Sequence, residues 1–385
     1  MKLRRIAGYA VPVVLLGGLV SAQSASAGAR PALRAAPPPS IGQLAYVTKS
    51  QQVRVASITA SGGVSAAHTV GPVTKPTGKE QVEISDLMAC GDGSWLAWEE
   101  NVVKPTKHGT LFIRSVLALR GENGVVDHLR TEQSPIGFAG DTLITTDTAT
   151  TDRVSVSPTM HLVKFANDPF ALIAGPQGVF DDQAVSAPRG PNRTDRLRLI
   201  TFSHARTVLH SYVLSPTNYR DIDQGWVSGD GQHLVVERGN HQDFGGLGPS
   251  SLADDFSLSG GFPRHQLGHV GSAKAQWRID SISFAGATDQ VWGLWDRATA
   301  HGVKSLAATY SKGNWRTVKQ QAIAVAGNSN GDVIIQPGKW VSIGHDFPDY
   351  RTVPTGDPVL VRGAVTKVVK VPGTEFSWLG GSAPA

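Results

Sequence analysis

A short phrase recurs along this chain: two apolar residues one position apart, then a small residue and a glycine. It stands as Ile136-Gly-Phe138-Ala-Gly140, Ile282-Ser-Phe284-Ala-Gly286 and Ile323-Ala-Val325-Ala-Gly327, and last as Phe376-Ser-Trp378-Leu-Gly380. A second recurrence links Ile84–Glu99 with Ile222–Glu237 at an offset of 138 residues. Both copies carry Gly-Asp-Gly (91–93 and 229–231), then Leu96 or Leu234, then the glutamate. The first two phrases lie 146 residues apart, close to that offset. Three units of about 46–49 residues fill such an offset, and periods of that size mean stacked or circular arrays of small sheets.

Taking the small residue before each glycine as an anchor gives positions near 90, 139, 228, 285 and 326. The gap from 139 to 228 is a double step, which Asp182-Gln-Ala184-Val-Ser-Ala187 fills. Leu44-Ala-Tyr46 echoes Leu96-Ala-Trp98 and places a further anchor near 38. Seven units result, with six or eight as the alternatives. Within them, runs such as Leu143-Ile-Thr145, Leu197-Arg-Leu199-Ile-Thr-Phe202, Leu234-Val-Val236 and Val333-Ile-Ile335 are short and rich in β-branched and aromatic residues, bounded by Gly, Asp, Asn and Pro. No helical period competes beyond the first residues. The expected fold is all-β: a single β-propeller over residues 41–385, whose blades are small sheets around a channel.

The two ends support a ring. Residues 1–27 read as a cleavable signal peptide, with Lys2, Arg4 and Arg5, an apolar run from Ala10 to Val20, and Ala25-Ser-Ala27 before Gly28. A secreted or otherwise extracytoplasmic location follows, with no membrane span once the leader is removed. Residues 28–40 are a Pro-rich linker. That linker stands where the first unit's opening strand belongs, and Phe376-Ser-Trp378-Leu-Gly380 offers the missing strand at the other end. Closure of the first blade by this C-terminal strand removes unpaired sheet edges.

The formal charge of +5 includes three leader cations, leaving 5 − 3 = +2 for the rest. No dense basic stripe accompanies the sequence pI of 9.3, so nucleic acid is not an expected partner. Cys90 is the single cysteine; it reads as a small buried side chain, and no internal disulfide can form. Trp95, Trp98, Trp226, Trp292, Trp295 and Trp378 lie on or beside the repeated strands and read as packing between units. The glycine of each phrase is expected to permit a turn at positive φ, and Gly-Asp-Gly and Asn330-Gly331 to form hairpin turns.

Chemistry has one conspicuous place to sit. Residues 239–276 form the longest insertion, read as a single loop holding His241, Asp243, Asp254, Asp255, Arg264, His265 and His269. Long loops in compact folds carry function. His265 and His269 share a face only in a helix, which Pro263 and Gly268 oppose, so no metal site and no cofactor is assigned. Asn328-Ser-Asn330-Gly-Asp332 reads as a hairpin rather than a calcium loop, and Asp181-Asp182 as a turn cap. Nucleophile, zinc and phosphate-loop signatures are missing.

The stretch Ile-Ser-Asp-Leu-Met-Ala-Cys-Gly-Asp-Gly-Ser-Trp-Leu-Ala-Trp (84–98) resembles the blade signature of TolB-like propellers, with Cys90-Gly91 and Ser228-Gly229 in place of Ser-Pro. That resemblance implies a protein-binding role. Tyr310-Ser311-Lys-Gly313-Asn-Trp315 is similar to a shortened Asp-box of sialidase-like propellers without its aspartate, and no catalytic residue is carried over from it. The leading expectation is an exported, non-enzymatic propeller, monomeric, that binds a protein, peptide or glycan. The alternatives are a sialidase-like or other carbohydrate-active enzyme, and a metal-dependent lyase or lactonase using the 239–276 loop.

Overall fold

Among the described residues, alternating and continuous β-branched runs separated by glycine-bearing turns give strands and no helix. In the computed structural model, residues 39–379 are described except for 66, 92, 108, 122–123, 125, 131–132, 141, 148–152, 157–160, 165–170, 185–194, 202–206, 215–220, 240–251, 259–262, 272–276, 287–289, 300–301, 343–349 and 372. The leader and all but the last two linker residues lie outside the described residues. Among the described residues there is no helix long and apolar enough to cross a membrane.

Among the described residues the strands fall into seven antiparallel sheets. The first contains β1 (Ser40–Val47), β2 (Val53–Thr59) and β3 (His68–Gly71); the second β4 (Gln81–Ala89), β5 (Leu96–Thr106), β6 (Gly109–Arg120) and β7 (Val126–Arg130). The third has β8 (Gln133–Ala139), β9 (Thr142–Asp147), β10 (Arg153–Val156) and β11 (His161–Lys164); the fourth β12 (Ala171–Gly175), β13 (Gly178–Ala184), β14 (Asp195–Thr201) and β15 (Thr207–Leu214). The fifth has β16 (Asp221–Val227), β17 (His233–Gly239), β18 (Leu252–Ser257) and β19 (Arg264–Gly268); the sixth β20 (Arg278–Ala285), β21 (Gln290–Thr299), β22 (Gly302–Ser311) and β23 (Asn314–Gln320). The seventh has β24 (Ala322–Gly327), β25 (Asp332–Ser342), β27 (Val359–Arg362) and β28 (Val365–Val368), with β26 (Tyr350–Pro354) paired to the far end of β25. The last strand, β29 (Phe376–Leu379), pairs antiparallel with β1, from Gln43↔Leu379 to Tyr46↔Phe376.

Successive first strands touch: β4 meets β8, β8 meets β12, and so on to β24, which meets β29, which meets β4. The core is correspondingly divided into layers between neighbouring sheets. Trp98 packs with Val47 and Val55 between sheets one and two, and Trp378 with Leu44, Ala326 and Ile334 between sheets one and seven. Trp295 fills the layer between sheets five and six, and Trp292 that between six and seven. Small meander sheets joined face to face through such layers are the construction of a β-propeller.

Two sequence readings are corrected. The fourth first-strand is not at Asp182–Ala187; Asp181 and Asp182 stand inside β13, and the phrase belongs to Ala171-Leu-Ile173-Ala-Gly175 on β12. An alanine in the first apolar position hid it. The stretch 239–276 is not one loop, because β18 and β19 run through it.

The Gly-Asp-Gly turn has a repeated construction. Cys90 N donates to Trp95 O and Ser228 N to His233 O, while Gly93 N and Gly231 N return to Cys90 O and Ser228 O. Asn328 makes the shorter equivalent, with Asn328 N to Asp332 O and Gly331 N to Asn328 O. In each, the side chain also accepts: Cys90 Sγ from Trp95 N at 3.0 Å, Ser228 Oγ from His233 N at 2.9 Å, and Asn328 Oδ1 from Asp332 N at 2.9 Å. Cys90 is therefore buried and also caps its turn.

Glycine serves two purposes in the phrase. Gly140 and Gly286 have positive φ, of 56° and 78°. Gly175 and Gly327 do not; a Cβ at Gly327 would collide with the Phe284 carbonyl, and one at Gly175 would sit 2.8 Å from Val227. Close approach of neighbouring first strands requires them.

Candidate functional site

Five first strands surround a cavity of about 260 Å³, lined by Ile136, Ala174, Gly225–Val227, Ile282–Phe284 and Gly327–Ser329. Around it the first strands approach closely: Gly225 lies hard against Ile173, and Ser283 Oγ accepts from Gly327 N at 2.7 Å, joining β20 to β24. The buried Asn328 lines the same cavity, with its Oδ1 committed to the turn described above.

The two first strands that do not line the cavity, β29 and β4, bring carboxyl groups together. Ser377 Oγ accepts from Ala89 N at 2.9 Å, the counterpart of Ser283 with Gly327. Two residues earlier, Glu375 Oε2 accepts from Leu87 N at 2.8 Å. Asp86 sits in the irregularity between Ser85 and Met88, at a φ of +56°, a region non-glycine residues seldom occupy. Its carboxyl is hydrogen-bonded to that of Glu99 on β5. Two carboxyls can share such a bond only if one keeps a proton.

Asp86 is exposed by area, yet the surrounding protein leaves desolvation as the largest influence on it. That desolvation, partly offset by hydrogen bonds from Ser85 and Glu99, raises its pKa; Glu99 is raised by burial against a bond from Ser134 and further by the Asp86 charge. Burial pushes Glu375 up to about 7, against the Leu87 bond and with help from Asp86. On sheet six, Asp280 is the extra residue of a bulge between Ile279 and Ser281. Burial and then Asp296 push it to about 6, opposed by Arg278. Because Ser281 precedes Ser283 as Glu375 precedes Ser377, Asp280 and Glu375 stand near one level of the first strands. Glu100 differs: its buried carboxylate takes Val73 N, Thr74 N and Trp98 Nε1 at 2.7–2.8 Å and pins Val73 and Thr74 to β5.

The residues singled out from sequence lie elsewhere. Asp254 and Asp255 are on β18, Arg264 and His265 on β19, and His269 just beyond it; His241 and Asp243 lie outside the described residues. Arg264 Nη2 pairs with the buried Asp254 Oδ2 at 3.0 Å, and His233 Nδ1 meets Asp255 Oδ2 at 3.1 Å. His265 Nε2 meets Tyr310 OH at 3.1 Å, linking sheets five and six. Burial raises the Asp255 pKa against the pull of His233 and His265. These groups bond to one another across outer strands and none lines the cavity. Among the described residues, no group of three or more His, Cys, Asp and Glu could hold a metal ion. The Asp-box-like segment is the β22–β23 hairpin, Lys312 and Gly313 at φ of 52° and 80°, with Trp315 edge-on to Trp295 and Tyr310.

Asp86, Glu99, Glu375 and Asp280 carried a faint sequence signal. Asp223 and Asp280 each follow the first apolar residue of a first strand, Asp86 stands two residues after Ile84, and Glu99 and Glu237 are the repeated glutamates. The contribution of Glu375 depends on pairing of the two chain ends.

No protein-family model matches the chain. No curated protein matches it either. Among solved structures, it is similar to a protein from Lactobacillus plantarum, at 10% identity over 88% of this chain and 99% of that one, TM-score 0.46. It is also similar to an oligogalacturonate lyase from Vibrio parahaemolyticus, at 8% identity over 86% of each chain, TM-score 0.44. A third is the β-propeller domain of the Trilobed protease from Pyrococcus furiosus, at 9% identity over 74% of this chain and 82% of that one, TM-score 0.41. At these scores the likeness carries no argument, and the fold description rests on strand pairing and core layers.

Proposed function

We propose that the chain is an exported, non-enzymatic propeller of seven blades, TolB-like in blade type, whose ring is closed by β29 and whose channel binds a peptide, protein segment or glycan. One observation carries the binding site: Asp86, Glu99 and Glu375 gather on or next to β4, β5 and β29, where burial raises the pKa of each, and β4 and β29 adjoin first strands that line the cavity. Carboxyls poised between charged and neutral forms both accept and donate hydrogen bonds, which suits ammonium groups of peptides and hydroxyl groups of sugars. Closure is supported by the β1–β29 ladder and by the bonds β29 makes on both sides, Trp378 Nε1 to Ala326 O and Ser377 Oγ from Ala89 N. Export is supported by the leader composition.

The test is a peptide-library and glycan-array screen of the full chain, repeated with Asp86→Asn/Glu375→Gln. A ligand of the parent should lose about tenfold or more in affinity in the variant, the usual loss when a desolvated charged hydrogen bond goes. Equal binding by the variant would remove the carboxyl site from the account. Turnover of any bound peptide or glycan would contradict the non-enzymatic reading.

A further inference from the structure

The β5–β6 hairpin of the second sheet outruns its neighbours. β4 first pairs with β5 at Gln81↔Val103, and β7 reaches β6 only from Val116 onward. Beyond those limits the two strands pair with each other, as Lys104↔Leu111, Pro105↔Thr110 and Thr106↔Gly109. A register shift between Val102 and Val103 marks the root of this arm.

Three consecutive apolar residues stand on it: Leu111 and Phe112 are each 54% exposed and Ile113 39%. Strand alternation sends Leu111 and Phe112 to opposite faces, so the arm is apolar on both sides, and Ile113 is the extra residue of the bulge at its root. Single exposed apolar residues need no explanation; three in a row on a projecting arm do. Lys104 and Lys107 are exposed on the arm, and Lys75 and Lys79 on the adjoining turn. That turn is tied to the arm through Glu80, which meets Arg114 Nη1 at 3.7 Å and accepts from Thr77 N and Oγ1. Glu80 is thereby engaged, and Glu83 stands further into β4.

We propose that this arm docks the protein on an anionic lipid surface, with Leu111, Phe112 and Ile113 in the headgroup–acyl boundary and Lys75, Lys79, Lys104 and Lys107 among the headgroups. A protein partner seated on one face would leave the other apolar face in water, whereas a bilayer interface receives both. Charge excludes a second copy, since the same lysines would face one another. Apolar contact combined with a basic cluster is the two-signal arrangement that stable surface binding requires.

Co-sedimentation of the full chain tests this, using phosphatidylcholine vesicles with and without about one-third phosphatidylglycerol, at about 0.02 M and about 0.5 M salt. The protein should pellet with anionic vesicles at low salt and be released at high salt. Leu111→Ser/Phe112→Ser/Ile113→Ser and Lys104→Glu/Lys107→Glu should each reduce partitioning about tenfold or more. Both variants alter exposed side chains, and unchanged melting confirms that they fold. Both retain residues 1–38, so binding through that segment would survive in them and overturn the proposal. It is equally overturned if the parent stays in the supernatant, or if a peptide of alternating glutamate and valine binds the arm while vesicles do not.

Discussion

The Leu87 amide donates a hydrogen bond to Glu375 Oε2 at 2.8 Å across 288 residues of chain, and the Ala89 amide repeats the contact with Ser377 Oγ at 2.9 Å. One short strand therefore serves two ends. It completes the first sheet, and the residue just before it delivers the carboxyl that joins Asp86 and Glu99. Fold and candidate site share the same residues.

Glu375 ties stability to pH in a direction opposite to an ion-paired carboxylate. Its pKa rises from 4.5 to about 7 on folding, with burial as the main cause. Below pH 4.5 both states hold the proton and nothing is lost. Between 4.5 and 7 only the folded state holds it, so stability falls as pH rises, and above 7 the loss is complete, at most about 3 kcal/mol. Asp280, raised from 3.8 to about 6, adds to the lower part of that window. Melting temperature should therefore drop between pH 5 and pH 8, and Glu375→Gln should flatten the drop. An unchanged slope in the variant would show that this carboxyl is not desolvated.

Cys90 should be replaceable by serine but not by alanine. Serine occupies the same turn position at Ser228 and accepts the same bond there. Cys90→Ser is expected to change stability by less than about 1 kcal/mol, whereas Cys90→Ala leaves the Trp95 amide without its side-chain acceptor and costs about 1–3 kcal/mol. Urea unfolding of the two variants separates these outcomes.

Gly327→Ala should destabilise without any change of backbone preference, because the added Cβ meets the Phe284 carbonyl of the neighbouring first strand. A cost of about 1–3 kcal/mol is expected for such overpacking. Gly356 has open space around it, and Gly356→Ala should be close to neutral in the same assay.

Much of this architecture was legible because it depends on local repetition. Ile282-Ser-Phe284-Ala-Gly286 and its echoes mark first strands, and the Gly-Asp-Gly turns mark the hairpins that follow them. Where the apolar position is Ala171, the phrase loses contrast, and the sequence alone places the fourth strand too late in the chain. The 239–276 stretch misled for a related reason: Leu252–Ser257 holds two aspartates, and Arg264–Gly268 opens on Arg-His-Gln, so neither reads as a strand. Asp254 is buried there, paired with Arg264 at 3.0 Å, and composition alone cannot show a buried ion pair. The acidic cluster was least visible. Asp86 and Glu375 are ordinary surface-type residues in the sequence, and only the β1–β29 ladder brings them together.

The most direct test is removal of residues 374–385 from the full chain, followed by thermal and urea unfolding. Loss of β29 strips the first sheet of a strand, the Trp378 anchor and the acceptors of Leu87 and Ala89. The expected result is a destabilisation of more than about 3 kcal/mol, or failure to fold. A truncated chain that melts with the full-length protein would contradict closure by β29 and, with it, the site that β29 completes.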